Sequence, residues 1–481
     1  QGRRRFGQQG WSKKYSFNVG DLTVCAQVLK TWIGRSEKVP WTDVKYILAG
    51  IMYGGHITDY WDRRCNTTYL DVLLQEQIFK GTMLAPGFRA PDPKKNNYKT
   101  LDEYILEKLP RDSPPMFRMH PNAEIGYLST ASTALFDTIM VLEKGGGGGG
   151  GDSGGGDTAL LKKIDELLEI LPAPFNEVEI RLRATGFFDE NAANAPYILV
   201  VLQEIRRMNR LTTYMRRSMM ELKKGMNGEL NMSPGMEELQ EALSINQVPG
   251  RNIFHQTSWE AIAWPSKRPL DGWFADTLKR IAQLVDWCEE LQRPMSTWIP
   301  ALFNPMAFLT ALMQVTGRVR GLPLDNMTVE THMTIYPNVA ALKDLGHPED
   351  GAFCHGLFIE GARWGGFTME GANDEEEEDD GGEDDVYEVT GTKCGGHLLD
   401  SRLKELLPAL PVCYFKAVEV KAEWEACEVG YIKHTEDVYD CPIYGTTFRG
   451  PTYVVLATLK TVDPTSKWVL AGVAIIMQED K

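Results

Sequence analysis

GLPLDNMTVETHMTI (residues 321–335) is where the sequence switches period. Upstream, apolar residues recur every three or four positions. From here Met327, Val329, Thr331, Met333 and Ile335 alternate with polar neighbours. Alternation sends successive side chains to opposite faces of a strand, whereas three-to-four spacing lines one face of a helix. Further short runs follow at 352–359, 412–420, 443–448, 453–460 and 468–477, separated by turn residues. Residues 321–481 therefore read as a mainly antiparallel β-unit, a barrel or sandwich. His355 and Glu360 fall in one expected strand. Their odd spacing puts them on opposite faces, so they do not cooperate as acid and base.

Upstream of the switch, residues 157–320 read as a helical bundle. Leu160, Leu161, Ile164, Leu167, Leu168 and Leu171 form a stripe over 157–171. A longer stripe over 197–224 runs from Ile198 through Ile205 and Leu211 to Leu222 and stops at Gly225. Its methionines (Met208, Met215, Met219, Met220) read as core filling. A further helix covers 272–291. The run GGGGGGGDSGGG (145–156) precedes the bundle and reads as a flexible linker or surface insertion, since ordering glycine costs the most backbone entropy.

Residues 1–144 are also helical. Leu22, Cys25, Val28, Leu29 and Trp32 share a face over 21–33. A second helix starts at Pro40, passes Ile51 and stops at Gly54-Gly55. A third is capped by Thr58 or Asp59 and runs to about 78. Prolines punctuate 86–121, leaving one short helix at 101–109, and another helix spans 129–144. The fold class is α+β.

Composition bounds the function. The net charge is −15, and ten of the acids lie in residues 374–385; without them the remainder carries −5. No basic excess exists to hold a phosphate backbone, which argues against nucleic acid as a partner. Cys25, Cys65, Cys288, Cys354, Cys394, Cys413, Cys427 and Cys441 show no C-x-x-C pair and read as buried free thiols of a reducing compartment. No run reaches the ~18 apolar residues of a membrane span. The opening QGRRRFGQQGW has no apolar stretch behind it and no initiator Met, so the polypeptide reads as a fragment or processed piece.

Catalytic signatures are missing. There is no G-x-x-x-x-G-K-[ST] phosphate loop and no H-E-x-x-H, and the G-x-S-x-G spelling occurs only inside the glycine run, at 151–155. The acidic run lacks the register of a calcium loop and reads as a solvated, self-repelling loop over 365–394. Arg3-Arg4-Arg5 and Arg63-Arg64 read as ion-pair partners for a neighbouring module or as water-facing charges. The residues thus describe a helical bundle plus β-unit built for scaffolding or binding.

Several phrases resemble the dynein heavy chain family. Arg4-Arg5-Phe6-Gly7, Gly10-Trp11, Tyr53-Gly54-Gly55-His56-Ile57-Thr58-Asp59 and Asp62-Arg63-Arg64 are similar to the small helical lid of its sixth AAA module. So is His120-Pro121-Asn122-Ala123-Glu124-Ile125. Phe303-Asn304-Pro305-Met306, His355-Gly356-Leu357-Phe358, Glu360-Gly361-Ala362-Arg363-Trp364, Arg449-Gly450-Pro451-Thr452-Tyr453 and Lys467-Trp468-Val469-Leu470-Ala471-Gly472-Val473-Ala474 resemble its C-terminal domain. The wording of the last two is most similar to outer-arm axonemal members. The glycine run, the insertion at 365–385 and Gly365, where many relatives carry Asp, depart from the pattern.

The resemblance implies a lid over 1–144, a linker at 145–156 and a C-terminal domain with a helical part (157–320) and a β-part (321–481). It implies part of a minus-end-directed microtubule motor of cytoplasm and ciliary or flagellar axoneme. The segment itself would be non-catalytic, bracing the AAA ring and tuning how ATP hydrolysis couples to movement. ATP and Mg²⁺ would belong to modules outside these residues, as would the stalk that meets the microtubule; the segment would hold no cofactor or metal. Expected partners are other AAA modules of the same heavy chain, intermediate and light chains, and other axonemal heavy chains; no membrane is expected. Arg4, Arg5, Tyr53, His56, Asp59, Arg63, Arg64, Arg363 and Trp364 are the candidate inter-module contacts, and Trp364 and Trp468 the candidate anchors of the β-part. The alternatives are a free-standing interaction module using the β-unit and acidic loop, and a hydrolase with an unrecognised site.

Overall fold

Asp59 caps the helix that starts at Tyr60. Its carboxylate accepts the N–H groups of Trp61 (3.0 Å) and Asp62 (3.2 Å), two donors that an α-helix leaves without an internal partner. The computed structural model describes all residues except 1–5, 7, 8, 10, 36, 92–101, 146–152, 191–193, 251–258, 267, 367–385, 434 and 479–481. Arg4, Arg5, the acidic run and most of the glycine run therefore lie outside the described residues.

The N-terminal region comprises α1 (Val19–Arg35), α2 (Trp41–Tyr46), α3 (Tyr60–Leu73) and α4 (Asn122–Gly145). α2 continues as a π-helical turn, Ile47–Met52. Gly54 closes it: a Cβ there would lie 1.5 Å from the Ala49 carbonyl oxygen. α3 stops at Leu73 rather than near 78, because Leu74 leaves the helical region (φ −91°, ψ 78°). The short helix expected at 101–109 is a π-helical turn, Tyr104–Lys108. α4 starts at Asn122 rather than 129, because its first turn closes on the carbonyls of His120 and Pro121. A small hairpin of β1 (Met83–Ala85) and β2 (Phe88–Arg89) stands where sequence suggests only loop.

The bundle comprises α5 (Ser153–Ile170), α6 (Glu177–Glu190), α7 (Ala195–Met226), α8 (Pro234–Ser244), α9 (Trp259–Ile262), α10 (Leu270–Glu290) and α11 (Pro305–Arg320). α5 begins inside the glycine run, so part of the expected linker is helical. α7 is central: Ile198, Val201, Ile205, Met208, Leu211, Met215, Met219 and Leu222 are fully buried, each removing apolar surface worth about 1.5–3 kcal/mol. Met220 points outward, against the core reading. Glu204 of α7 receives the N–H groups of Phe303 (2.6 Å) and Asn304 (3.0 Å) at the start of α11. Burial pushes its pKa up, opposed by those two donors.

The strands form two four-stranded sheets, the first in the order β3 (Ser296–Trp298), β5 (Gly351–His355), β11 (Cys413–Glu419), β4 (Met327–Met333), so one strand comes from the stretch 157–320 expected to be helical. The second has the order β15 (Tyr453–Lys460), β14 (Val438–Tyr444), β16 (Ala474–Ile476), β6 (Phe358–Glu360). β4 pairs with β11 from Met333↔Cys413 to Met327↔Glu419. Two-stranded pairs flank the sheets: β7 (Arg363–Gly365) with β10 (His397–Leu399), β8 (Val386–Val389) with β9 (Thr392–Gly395), and β12 (Glu425–Cys427) with β13 (Gly430–Ile432).

Three expectations change here. Among the described residues the strands close no barrel, and β3–β5 and β14–β16 are parallel pairs within an otherwise antiparallel unit. The run 352–359 is two strands in different sheets, because Gly356 (φ +84°) breaks it. A Cβ at Gly356 would meet the Trp298 ring at 2.3 Å. The run 468–477 is not one strand: α12 (Thr465–Ala471) ends at Gly472 (φ 74°), and only Ala474–Ile476 is extended. A short apolar run cannot by its period alone separate a buried helical turn from a buried strand.

Candidate functional site

The most elaborate polar arrangement lies where α3 meets the C-terminal unit. Trp61 of α3 packs with Ile432, Tyr444, Leu456, Ala474 and Ile476, and Cys65 joins the main core. This apolar contact brings Asp62, between those two residues, to full burial. Its carboxylate is met by the N–H groups of Ser12 (2.6 Å) and Lys13 (3.0 Å) and by the Tyr15 hydroxyl (2.8 Å). Tyr15 in turn accepts the Asp59 N–H at 3.2 Å. Burial pushes the Asp62 pKa up to about 6; the Ser12 N–H opposes this and the Asp59 charge adds to it. Ser12 Oγ lies 2.8 Å from the Tyr444 hydroxyl, which carries the network into β14.

Arginines frame the joint. Arg64 donates to the Asp440 carbonyl at 2.7 Å and lies over the rings of Trp61 (5.5 Å) and Tyr439 (5.3 Å). Arg63 makes 3.0 Å bonds to both carboxylate oxygens of Glu428. Buried Arg449 binds Glu360 at 2.5 Å and the Gly472 carbonyl at 2.7 Å. A second tie runs from Asn122, at the start of α4, to the loop after β10: Nδ2 donates to the Arg402 (2.7 Å) and Glu405 (2.9 Å) carbonyls, and Oδ1 accepts the Lys404 N–H at 2.8 Å.

Of the candidates read from sequence, Asp59, Arg63 and Arg64 are brought together here. Tyr53 and His56 lie on the α1 side: Tyr53 packs edge-on to Phe17 (5.3 Å), and His56 Nε2 is 3.8 Å from Asp21. Arg363 and Trp364 sit apart on β7, donating to the Asp400 (3.2 Å) and Gly395 (3.1 Å) carbonyls. Trp364 is only half-buried against the core, while Trp468 is wholly buried on α12 with Nε1 2.6 Å from Thr461 Oγ1. Trp468 is thus the anchor and Trp364 its rim. His355 and Glu360 lie in separate sheets: His355 Nδ1 is 2.9 Å from Ser296 Oγ, and burial lowers its pKa to about 4.

Sequence reading passes over Gln9, Ser12, Tyr15, Asp62, Asn122, Tyr444 and Arg449 as contact residues. Asp62 has a local signal: an acid between Trp61 and Cys65, both on the apolar side of α3. The others are visible only through contacts distant in sequence. A shallow groove of about 520 Å³ crosses the joint, lined partly by the Arg63–Glu428 pair. Among the described residues no group of His, Cys, Asp or Glu is arranged to hold a metal ion, and no helix is long and apolar enough to cross a membrane. The geometry can fasten two bodies together.

Residues 1–123 match the AAA lid domain of dynein heavy chains, and residues 129–477 match the C-terminal domain of dynein heavy chains. Over 478 residues the chain is 39% identical to the ciliary dynein beta chain of Heliocidaris crassispina, covering 99% of this chain and 9% of that protein. It is 38% identical over 479 residues to human dynein axonemal heavy chain 17, covering 99% and 10%. The alpha chain of the flagellar outer arm of Chlamydomonas reinhardtii is 39% identical over 508 residues, covering 100% and 10%. The chain spans about a tenth of the length of these relatives. With both domain matches in sequence order and covering almost all of its length, the chain belongs to the dynein heavy chain family.

Proposed function

We propose that these residues are the non-catalytic C-terminal part of an axonemal dynein heavy chain and brace its AAA ring. The parent would be a minus-end-directed microtubule motor of cilia or flagella that hydrolyses ATP in modules elsewhere in the polypeptide. The lid would belong to the sixth module. Intermediate chains, light chains and neighbouring heavy chains would be partners of the assembled arm, and microtubules would be met only through the stalk. We read the two sheets as an opened barrel split between β4 and β15, where Thr458 Oγ1 reaches the Thr331 carbonyl at 3.3 Å.

One observation carries the bracing role. α1 and α4 expose rows of large apolar side chains: Val19, Leu22 and Trp32 on one, Tyr127, Leu128, Leu135, Phe136 and Ile139 on the other. From 125 to 136 there is no charged residue at all. Exposed apolar surface on this scale marks a docking face, and family membership makes the remainder of the heavy chain the natural occupant. Hydroxyl-radical footprinting of the intact heavy chain tests this. Leu22 and Phe136 should be shielded there and reactive in the 481-residue segment alone; equal reactivity in both would remove the bracing role.

A further inference from the structure

The geometry points to Gln9 and residues 11–15 as a tie that locks the lid and the C-terminal unit into one cooperative body. The inference rests on the bracing role only for its consequence; the tie itself is internal to the 481 residues. Gln9 and Ser12 are buried although both are polar and precede the first helix. Burial of this kind needs partners, and the partners come from both bodies. On the lid side Asp62 takes the Ser12 and Lys13 N–H groups and the Tyr15 hydroxyl. On the other side the Tyr444 hydroxyl meets Ser12 Oγ, and Gln9 Nε2 donates to the Ala471 carbonyl at 3.2 Å.

The C-terminal unit also makes room for this segment. Gly450 (φ +56°) passes so close that a Cβ would lie 2.8 Å from the Ser12 carbonyl oxygen. Gly361 (φ +85°) would place a Cβ 2.9 Å from Gln9 Nε2. Two glycines from separate loops, both in the left-handed region, are thus held against the same short stretch. Beside Gly450, Arg449 is fixed by Glu360 and the Gly472 carbonyl, so the wall behind the tie is itself anchored. The segment passes between α3 and β14 with polar bonds to each. Displacement of the backbone where it enters at residue 9 is therefore delivered to both bodies together, and the lid cannot shift against the C-terminal unit without breaking buried hydrogen bonds.

Hydrogen–deuterium exchange on the intact heavy chain tests the tie, since amides that open in one cooperative unit share one protection level. In the wild type, the amides of Ser12 and Lys13 should be protected to the same degree as those of α3 and β14. Tyr444→Phe keeps the ring and removes only the hydroxyl; it should speed exchange at 12–13 about tenfold or more. Tyr453→Phe is the control: it removes a hydroxyl of the second sheet that donates to the Val429 carbonyl and should leave 12–13 unchanged. Free exchange at 12–13 in the wild type, no effect of Tyr444→Phe, or an equal effect of Tyr453→Phe would each overturn the tie. None of these outcomes depends on whether α1 and α4 are shielded, so failure of the tie and failure of the bracing role are separately visible.

Discussion

The N-terminal helices and the C-terminal unit use the same kinds of apolar residue and bury them to very different extents. One continuous cluster runs through the bundle and both sheets and takes in Cys65 of α3. Apart from Trp61 and Cys65 of α3, the buried apolar residues of the N-terminal region form small separate clusters, such as Cys25 with Val44 and Leu48, and Phe6 with Met119 and Ala123. On α1 only Cys25 is buried, though the spacing predicts an inner face shared with Leu22, Val28, Leu29 and Trp32. Apolar periodicity thus reports that a helix has a sticky side, and not whether the same polypeptide supplies the partner. The C-terminal unit buries most of its large apolar side chains, whereas α1 and α4 leave theirs largely exposed.

Trp468 offers the strongest way to break that contrast. Trp468→Ala should cost about 3–5 kcal/mol in chemical denaturation, since it empties a fully buried site beside the Thr461 hydroxyl. A near-neutral result would mean that the C-terminal core is far looser than its burial suggests. The joint between the regions gives an intermediate effect. Asp62 titrates near 6 when folded and near 3.8 otherwise, so the folded state holds its proton more tightly. Its stability contribution is complete below about pH 3.8 and is lost as pH rises through about 6. Between about pH 4 and pH 7 the wild type should therefore lose roughly 2–3 kcal/mol relative to Asp62→Asn. Parallel pH curves for the two proteins would show that Asp62 is not buried at the joint. The smallest effect sharpens the comparison from the other side. Leu22→Ser and Phe136→Ser should change stability of the isolated segment by no more than about 0.5 kcal/mol, since both side chains already face solvent there.

Some elements are legible because their cause is local. Asp59 caps its helix through its own side chain, and the stripe of α7 follows from 3.6-residue periodicity, so both can be read from adjacent letters. β4 likewise announces itself by alternation from Met327 to Met333. Strand boundaries fail where a glycine conformation or a helical turn cuts an apolar run, as at Gly356 and between Trp468 and Ala474. The phrases Asp62-Arg63-Arg64 and Arg449-Gly450 lie at the joint, but only the flanking Trp61 and Cys65 hint that Asp62 rather than Arg63 is the buried member.

By itself the sequence determined the α+β class and membership of a family through ordered phrases along its whole length. Those properties depend on residues a few positions apart or on the order of segments. The tertiary structure decided which strands lie side by side, that two of those pairings are parallel, and that Ser12 is bonded to both α3 and β14. These depend on groups hundreds of positions apart, such as Ser12 and Tyr444, whose meeting is set by the burial of Trp61 and the sheet beneath it.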